Sequence, residues 1–218
     1  MTSLLPGLLI TICMGAVSAQ TSTPPRSGTQ TWIESQFAIP ITERVDLVIL
    51  GGLHFGRNAE RPVVEHTSMG IGASFRLNRH FTIFPFYTHF ENQTAPRGRN
   101  NEERFTLEAT LKFPLGHFTL SDRNRLEYHL RTPPPSFIHY RNRIQVERSL
   151  KHGFTPFLAD EVYYDSHFTT WIRNRVYAGI SKKANAHFTF DIYYLRQSDS
   201  HSHPGDLNVV GTTLKFRL

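Results

Sequence analysis

The sequence is poor in features that define several common classes of protein. It has a single cysteine, Cys13, so no disulfide can join two parts of the chain. After Val17 no apolar run approaches the ~20 residues that a membrane-spanning helix needs, and the hydrophobic content is 39%. A content of 17 Phe, 8 Tyr and 2 Trp is nevertheless too aromatic for a disordered chain. Any membrane span must therefore be a β-strand.

Lysine is also scarce. The 218 residues contain 24 basic and 18 acidic side chains, a formal charge of +6, and only five of the basic side chains are Lys. Arginine makes fixed, forked ion pairs with carboxylates, whereas Lys is a flexible point charge. The Arg bias favours paired charges over a solubilising coat, and we expect no nucleic-acid partner. The length fits one domain, or at most two.

The first 30 residues have the composition of a secretory signal and a leader. An apolar run over residues 4–14 precedes Val17-Ser18-Ala19, which predicts a signal peptide, residues 1–19, that is cleaved after Ala19. A buried N-terminal helix is the alternative. Residues 20–30 predict a flexible leader. Cleavage would remove Cys13, so the exported domain, residues 31–218, would be stabilised by packing or by a membrane.

From residue 31 onwards, apolar and polar residues alternate with a period of two, which predicts β-strands. Many of the alternating segments are longer than the five or six residues of a typical soluble strand. The eleven segments cover residues 31–39, 43–56, 65–77, 80–91, 102–113, 117–131, 136–149, 155–164, 168–181, 185–197 and 207–218. No stretch shows a helical period, so the predicted fold class is all-β.

The two faces of these segments differ in polarity. In the fifth segment Phe105, Leu107 and Leu111 alternate with Glu108 and Lys112. A soluble β-sandwich rarely sets charges at mid-strand opposite its buried face on so many segments. Strands of about ten residues that are apolar outward and polar inward are typical of membrane barrels. The sequence therefore predicts a single antiparallel up-and-down transmembrane β-barrel of 10 to 12 strands.

The connections alternate in length, as they do in outer-membrane barrels. Tight turns follow the odd-numbered segments, whereas residues 57–64, 92–101 and 198–206 form longer polar connections that we expect outside the cell. With eleven strands the first one would begin at the outer end, which does not suit a secreted chain. Three explanations stay open: the first segment is not part of the wall, one more strand exists, or the leader passes through the lumen. Ten or twelve strands are favoured.

The chain ends in an alternating strand of the kind that closes bacterial outer-membrane barrels, and it carries Arg-rich central strands. The matching residues are Trp32, Glu34, Asp122-Arg123-Asn124-Arg125-Leu126-Glu127-Tyr128, Tyr140-Arg141-Asn142-Arg143, Arg173-Asn174-Arg175 and Thr213-Leu214-Lys215-Phe216-Arg217-Leu218. In these residues the chain resembles the domain-of-unknown-function family 2490. The resemblance implies a barrel in the outer membrane of a Gram-negative bacterium, surrounded by lipid and inserted by the barrel-assembly machinery through its last strand. It implies no activity.

The abundance of His and Pro departs from the pattern of that family. Pro85 lies inside the fourth segment. Proline cannot donate a ladder hydrogen bond, so the fourth strand is expected to be interrupted or to lie at an edge.

Three Arg-Asn-Arg triplets are the most distinctive motif, and alternation places both arginines of each on the inward face. Such a lumen is either an anion pathway or a network of paired charges, and the cost of unpaired buried charge favours the network. The expected lumen residues are Glu108, Arg123, Arg125, Glu127, Arg141, Arg143, Glu147, Glu161, Arg173, Arg175 and Asp191. Registers set by the turns predict the pairs Glu108–Arg123, Glu127–Arg141, Glu161 with both Arg143 and Arg173, and Arg175–Asp191, with Arg125 beside Arg141 or Arg143.

No catalytic site, metal or cofactor is expected. Ser166-His167 and His201-Ser202-His203 lie in predicted loops, where solvated His is the common explanation. No base and orienting group can be placed beside either serine. His201 and His203, with Asp199 and Asp206, offer metal-ligand types, but loop composition accounts for them.

Three classes of function stay open. The first is an outer-membrane barrel with either a narrow pore for small anionic solutes or a structural, charge-paired lumen. The others are an outer-membrane lipid hydrolase and a soluble periplasmic β-barrel that binds an apolar ligand. Conductance, release of fatty acid from lipid, and extraction by salt without detergent distinguish the three.

Overall fold

The structure is a computed structural model that describes residues 28–58, 61–94, 98–131, 136–200 and 205–218. The predicted signal peptide, residues 1–19, lies outside these residues, as does most of the predicted leader. The first strand begins at Gly28, so the last part of the leader, residues 28–30, belongs to the folded domain. No helix in the described ranges is long and apolar enough to cross a membrane.

The described chain is built almost entirely from β-strands. Their bounds are β1 Gly28–Pro40, β2 Val45–Asn58, β3 Arg61–Arg76, β4 Phe81–Thr94, β5 Gly98–Leu115, β6 Phe118–Arg131, β7 Phe137–Glu147, β8 Phe154–Asp165, β9 Thr170–Lys183, β10 Phe188–Asp199 and β11 Leu207–Arg217. The shortest strands have 11 residues, a length of about 36 Å at ~3.3 Å per residue. A tilted strand needs only ~9–11 residues to cross the hydrocarbon core of a bilayer.

The sheet closes on itself into a barrel, as predicted. Strands that are neighbours in sequence pair in antiparallel fashion, and β1 closes the ring by pairing in parallel with β11, from Gly28 opposite Leu207 to Ala38 opposite Arg217. There are eleven strands, rather than the even number that the turn pattern favoured. A fully antiparallel ring needs an even count, and the single parallel pair permits an odd one. The first segment is therefore part of the wall.

The parallel pair also fixes which end of the barrel each connection occupies. Gly28 lies beside Leu207, at the end that carries the longer connections, and Pro40 lies at the end of the tight turns. In three of these turns a side-chain oxygen accepts hydrogen bonds from two backbone N–H groups. The acceptors are Thr42 for residues 44 and 45, Asn78 for residues 80 and 81, and Asn185 for residues 187 and 188.

The predicted alternation between faces is present in the wall. On β5, Phe105 and Leu107 are each 52% exposed on the outer surface, whereas Thr106 between them is 4% exposed. On β10, Ile192 is 50% exposed and its neighbour Tyr193 is 8% exposed. Successive side chains of a strand point to opposite faces of the sheet. In a closed barrel the alternating apolar residues therefore lie outside, and the residues between them lie inside.

Pro85 does not interrupt β4, which runs from Phe81 to Thr94 and pairs continuously with β5. The ladder to β3 on the other side is broken locally, between the pair Gly72–Phe86 and the pair Phe75–Ile83. The missing N–H of proline therefore falls where no ladder bond is made.

We expect a cysteine pair at Ile33 and Thr212 to form a disulfide in the folded barrel. These residues are opposite each other across the β1–β11 seam, at a separation that a disulfide spans. A control pair, Ile33→Cys with Phe216→Cys, lies four residues further along β11, about 13 Å away. Gel mobility with and without reductant reports the bond. Cross-linking of the control pair instead would show that the parallel register is wrong.

Candidate functional site

The barrel encloses a cavity of about 1460 Å³. It reaches from Lys112 and Lys215, near the tight turns, to Asn92 and Arg131, near the other end. Charged, amide and aromatic side chains line it, because the inward positions of the strands carry these residues. The cavity therefore runs along the barrel rather than forming a closed pocket in one wall.

The carboxylate of Glu161 on β8 is fully enclosed, with 0% of the residue exposed. Its Oε1 accepts hydrogen bonds from Arg123 Nη2 at 2.7 Å and from Arg141 Nη2 at 2.9 Å and Nε at 3.2 Å. Its Oε2 accepts from the hydroxyls of Tyr177 at 2.8 Å and Tyr163 at 3.1 Å. These donors come from β6, β7, β8 and β9, so one carboxylate ties four strands together.

Arg141 links Glu161 to a second buried carboxylate, Glu127 on β6. Arg141 Nη1 donates to Glu127 Oε1 at 2.6 Å. Arg125 donates to Glu108 Oε2 from Nε at 2.9 Å and from Nη2 at 2.5 Å, and its Nη1 lies 3.6 Å from Glu127. Buried charges are tolerated when they have such partners. A continuous chain of ion pairs therefore runs from β5 to β8.

A third buried carboxylate, Glu102 on β5, gathers cations from two strands. Arg104 Nη2 donates to its Oε1 at 2.6 Å, and Arg131 Nε donates to its Oε2 at 2.5 Å. His129 stands between Glu102 and Glu127, with Nδ1 2.7 Å from Glu102 and Nε2 3.3 Å from Glu127. Both nitrogens of this imidazole therefore face carboxylate oxygens.

On β1 to β4 an arc of packed rings continues the inward face. Neighbouring ring centroids are 4.4 to 4.8 Å apart along Trp32, His54, His66 and Phe90. At the ends of this arc Arg175 lies 4.9 Å from the centroid of Trp32, and Arg104 lies 4.1 Å from that of Phe90. Cations attract ring faces in this arrangement. Together the arc and the charge network form a belt of contacts around the lumen.

Arg143 and Arg175 differ from the other arginines of the network, since neither makes an ion pair with a carboxylate in the part of the chain that the structure describes. Arg143 Nη2 donates to Gln145 at 2.7 Å, and its Nε is buried without a hydrogen-bond partner. Arg175 donates to Gln197 at 2.8 Å and to the hydroxyl of Tyr163. Both side chains line the cavity, so they are available to bind an anion.

The structure corrects the register of the predicted pair of Glu108 with Arg123, although the two side chains do form an ion pair at 3.8 Å. Glu108 lies directly opposite Arg125, and Arg123 makes its hydrogen bond with Glu161. The β5–β6 connection is a two-residue turn in which Gly116 has φ of 61°. The prediction assumed a four-residue turn, and the tighter turn moves every partner by two residues.

The predicted bridge from Glu161 to Arg143 and Arg173 is also wrong. Arg143 lies opposite Glu161, as the register predicted, but its guanidinium turns to Gln145. Arg173 pairs with Asp199 at 2.6 Å. Residue 175 and not residue 173 lies opposite Glu161, and a β-bulge between Tyr163 and Tyr164 accounts for one of these two residues of shift.

The predicted pair of Arg175 with Asp191 does not form. Arg175 lies opposite Gln197, and Asp191 pairs with Lys215 Nζ at 2.6 Å. The connection between β9 and β10 spans residues 184–187, further along the chain than the expected turn at residues 182–184. Two predicted contacts are present: Arg125 is opposite Arg141, and Glu127 contacts Arg141. Glu147, for which no partner was predicted, accepts a hydrogen bond from Gln145 at 2.8 Å.

Sequence reasoning missed several members of the network. They are Glu102, Arg104, His129, His139, Tyr163, Asp165, Tyr177 and Asp199. The inward parity of β5 to β10 would have found Glu102, Arg104, His129 and His139, because they continue the period of Glu108, Glu127 and Arg141. The Arg-Asn-Arg triplets mark only the middle of their strands, so they do not point to residues nearer the strand ends.

The asparagines of the triplets lie on the outer face of the wall. The Asn142 amide donates to Asp122 at 2.7 Å and to Asn124 at 3.1 Å, and the hydroxyl of Tyr140 donates to Asn124 at 2.5 Å. Asn174 donates to Asp160 at 2.5 Å. These outward polar groups at mid-strand thus satisfy one another with hydrogen bonds.

A protein family of unknown function, DUF2490, matches residues 29–208 of this chain. The chain belongs to the DUF2490 family. The match begins in β1 and ends in β11, so it covers almost the whole wall of this DUF2490 barrel. The family resemblance inferred from the central Arg-rich strands is confirmed.

The other comparisons add little to the family assignment. No curated protein matches the sequence. A solved structure, the anion-selective porin from Comamonas acidovorans, is similar with 10% identity and a TM-score of 0.38, over 77% of this chain and 56% of the porin. The DUF2490 barrel thus spans little more than half the length of that porin. Both the identity and the score are too low to transfer the porin's selectivity.

We expect Glu161→Gln to lower the free energy of unfolding of the DUF2490 barrel by about 3–5 kcal/mol, the usual cost of removing one partner from a buried ion pair. Gln keeps the size of the side chain but leaves Arg123 and Arg141 without the charge that they share. Glu43→Gln, in an exposed turn, is the matched control and should change nothing measurable. Denaturant unfolding in detergent micelles measures both, and equal stability of the two variants would contradict the assigned role of Glu161.

Proposed function

We propose that the protein is an outer-membrane β-barrel whose lumen is a narrow pore for small anionic solutes. The observation that carries the proposal is the cavity that runs along the inside of a closed wall, with unpaired arginines facing it and apolar residues covering the outside. Lipid is then the partner of the outer face, and the last strand, β11, is the segment that the barrel-assembly machinery would recognise.

The outer surface supports membrane insertion. Large apolar side chains that are at least 37% exposed occur on ten of the eleven strands. Examples are Phe37, Ile49, Ile71, Leu107, Leu126, Ile144, Leu158, Val176, Ile192 and Val210. An apolar surface that surrounds a whole barrel is costly in water, whereas lipid accommodates it. It is unsuited to the soluble periplasmic barrel considered above, whose ligand would also have to enter a charged lumen.

The lumen supports an anion as the solute. Arg143 and Arg175 lie on either side of Glu161 in the sheet. The carboxylate of Glu161 takes its hydrogen bonds from Arg123, Arg141 and two tyrosines, so it attracts these two guanidiniums through space but makes no contact ion pair with them. Arginine presents a planar fork that matches carboxylate and phosphate oxygens. A small anion in the cavity would supply the missing negative charge.

The lipid hydrolase finds less support. The hydroxyl of Ser166 accepts the backbone N–H of Ile138 at 2.9 Å, which gives it a structural role in the β8–β9 connection. His201, Ser202 and His203 lie outside the described residues. On the outer wall His89 Nδ1 lies 2.7 Å from Glu103, which sets a base beside a carboxylate, but no hydrogen bond among the described residues joins a serine hydroxyl to His89.

We expect the protein to fractionate with the outer membrane. High salt should leave it in the membrane pellet and detergent should release it, because its apolar outer surface, and not charge attraction, holds it in the lipid. Membrane fractionation with immunodetection measures this. Release by salt alone would overturn the membrane placement.

We expect the purified barrel to conduct in planar bilayers with a preference for anions. The double variant Arg143→Gln and Arg175→Gln should reduce that preference, since it removes two cavity charges that no carboxylate pairs. Arg44→Gln, in an exposed turn, is the matched control. Reversal potentials in a salt gradient measure the selectivity. A folded barrel that inserts but does not conduct would instead support a structural barrel with a filled lumen.

A further inference from the structure

We propose that Glu127, His129 and His139 form a binding site for one divalent transition-metal ion, with zinc as the best fit, in the lumen wall. The site goes beyond the proposed pore function. It also differs from the loop histidines His201 and His203, which lie outside the described residues.

The sheet register brings the three side chains together. Glu127 on β6 lies directly opposite His139 on β7, and His129 follows Glu127 by two residues on the same inward face. One ligand atom from each of the three lies within 4.8 Å of the other two. The residues are only 1%, 1% and 8% exposed. A Glu-x-His segment beside a facing histidine is thus a preformed cluster and not a chance grouping of surface side chains.

The orientation of both imidazoles is fixed by a second carboxylate. His129 Nδ1 lies 2.7 Å from Glu102, and His139 Nε2 lies 2.8 Å from Asp165. Histidine ligands of metals almost always donate their other ring N–H in this way. These bonds occupy one nitrogen of each ring, and in a neutral imidazole the other nitrogen carries the lone pair that a metal needs.

The distance between two of the ligands fits zinc. His129 Nε2 and Glu127 Oε2 are 3.3 Å apart. Two ligands bound to one zinc ion at ~2.0–2.1 Å in tetrahedral geometry are separated by about 3.3 Å. Carboxylates accept hydrogen bonds and do not donate them, so an uncharged His129 could not satisfy both Glu102 and Glu127. A metal ion between Nε2 and Oε2 supplies the positive centre.

The surrounding arginines leave the required oxygen free. Arg141 donates to Oε1 of Glu127 at 2.6 Å, and Arg104 Nη1 lies 3.6 Å from Oε2, beyond hydrogen-bonding distance. Two histidines and one carboxylate are the ligand set of zinc sites that keep a fourth position open. Glu127, His129 and His139 line the cavity, so water or a cavity anion would be the fourth ligand.

Cobalt binding to the detergent-purified, untagged barrel tests the proposal. All proteins carry His201→Ser and His203→Ser, which remove the loop histidines as competing ligands. After chelator treatment and buffer exchange, this parent barrel is titrated with Co²⁺, and zinc is then added in competition. We expect one equivalent of cobalt with the visible absorption of a tetrahedral site, displaced by one equivalent of zinc.

Variants then assign the ligands. His139→Gln should abolish the tetrahedral absorption, and Asp165→Asn, which loosens a supporting carboxylate, should weaken affinity about 10- to 100-fold. His54→Gln, another inward histidine, is the matched control and should bind like the parent. Heat-dependent gel mobility shows which variants are folded, and Asp165→Asn keeps the test available if His139→Gln does not fold.

Two results would overturn the proposal. One is a folded parent barrel that binds no cobalt, which would mean that His129 is held as an imidazolium between two carboxylates. The other is unchanged cobalt binding in folded His139→Gln or Asp165→Asn. Neither result depends on conductance or membrane fractionation, so the metal site and the pore can fail separately.

Discussion

Closure of the sheet through the parallel pairing of β1 with β11 is the constraint on which the rest of the structure depends. A closed wall has no edge, so every strand has two neighbours with which its backbone groups can pair. A closed wall also encloses a lumen. Because strand side chains alternate, closure alone sends Glu102, Glu127 and Glu161 into the lumen and Phe105, Leu126 and Leu158 outward.

Because the charged side chains are confined in the lumen, the ion pairs between them determine how the interior is arranged. Glu161 accepts five hydrogen bonds from four strands, and Arg141 joins it to Glu127. Such shared carboxylates lock the relative positions of β6 to β9. The inward face of β1 to β4 is built differently, from the packed rings of Trp32, His54, His66 and Phe90. Residues of both sides line the cavity, so ion pairs and ring contacts together form its wall.

The sequence was sufficient for the fold and for the parity of the lumen residues. Alternation along β5, β10 and β11 predicted the barrel, and the Arg-Asn-Arg triplets predicted inward arginines. Individual partners could not be derived with the same success, because each depends on the length of a turn or on a bulge. The two-residue turn at Gly116 moved pairs by two residues, and the bulge after Tyr163 moved them by one. His129 and His139 were overlooked because the significance of each depends on register: only the pairing of β6 with β7 sets His139 opposite Glu127.

The central claim is that the wall separates a lipid-facing surface from a charged, water-accessible lumen, and nitroxide scanning of β5 tests it most directly. Single cysteines at residues 105 to 109 of the barrel, reconstituted in lipid vesicles, would carry a spin label each. The account predicts a period of two, with residues 105, 107 and 109 accessible to oxygen from the lipid phase and residues 106 and 108 shielded from it. Uniform accessibility, or access of a water-soluble nickel complex to residues 105 and 107, would contradict the account.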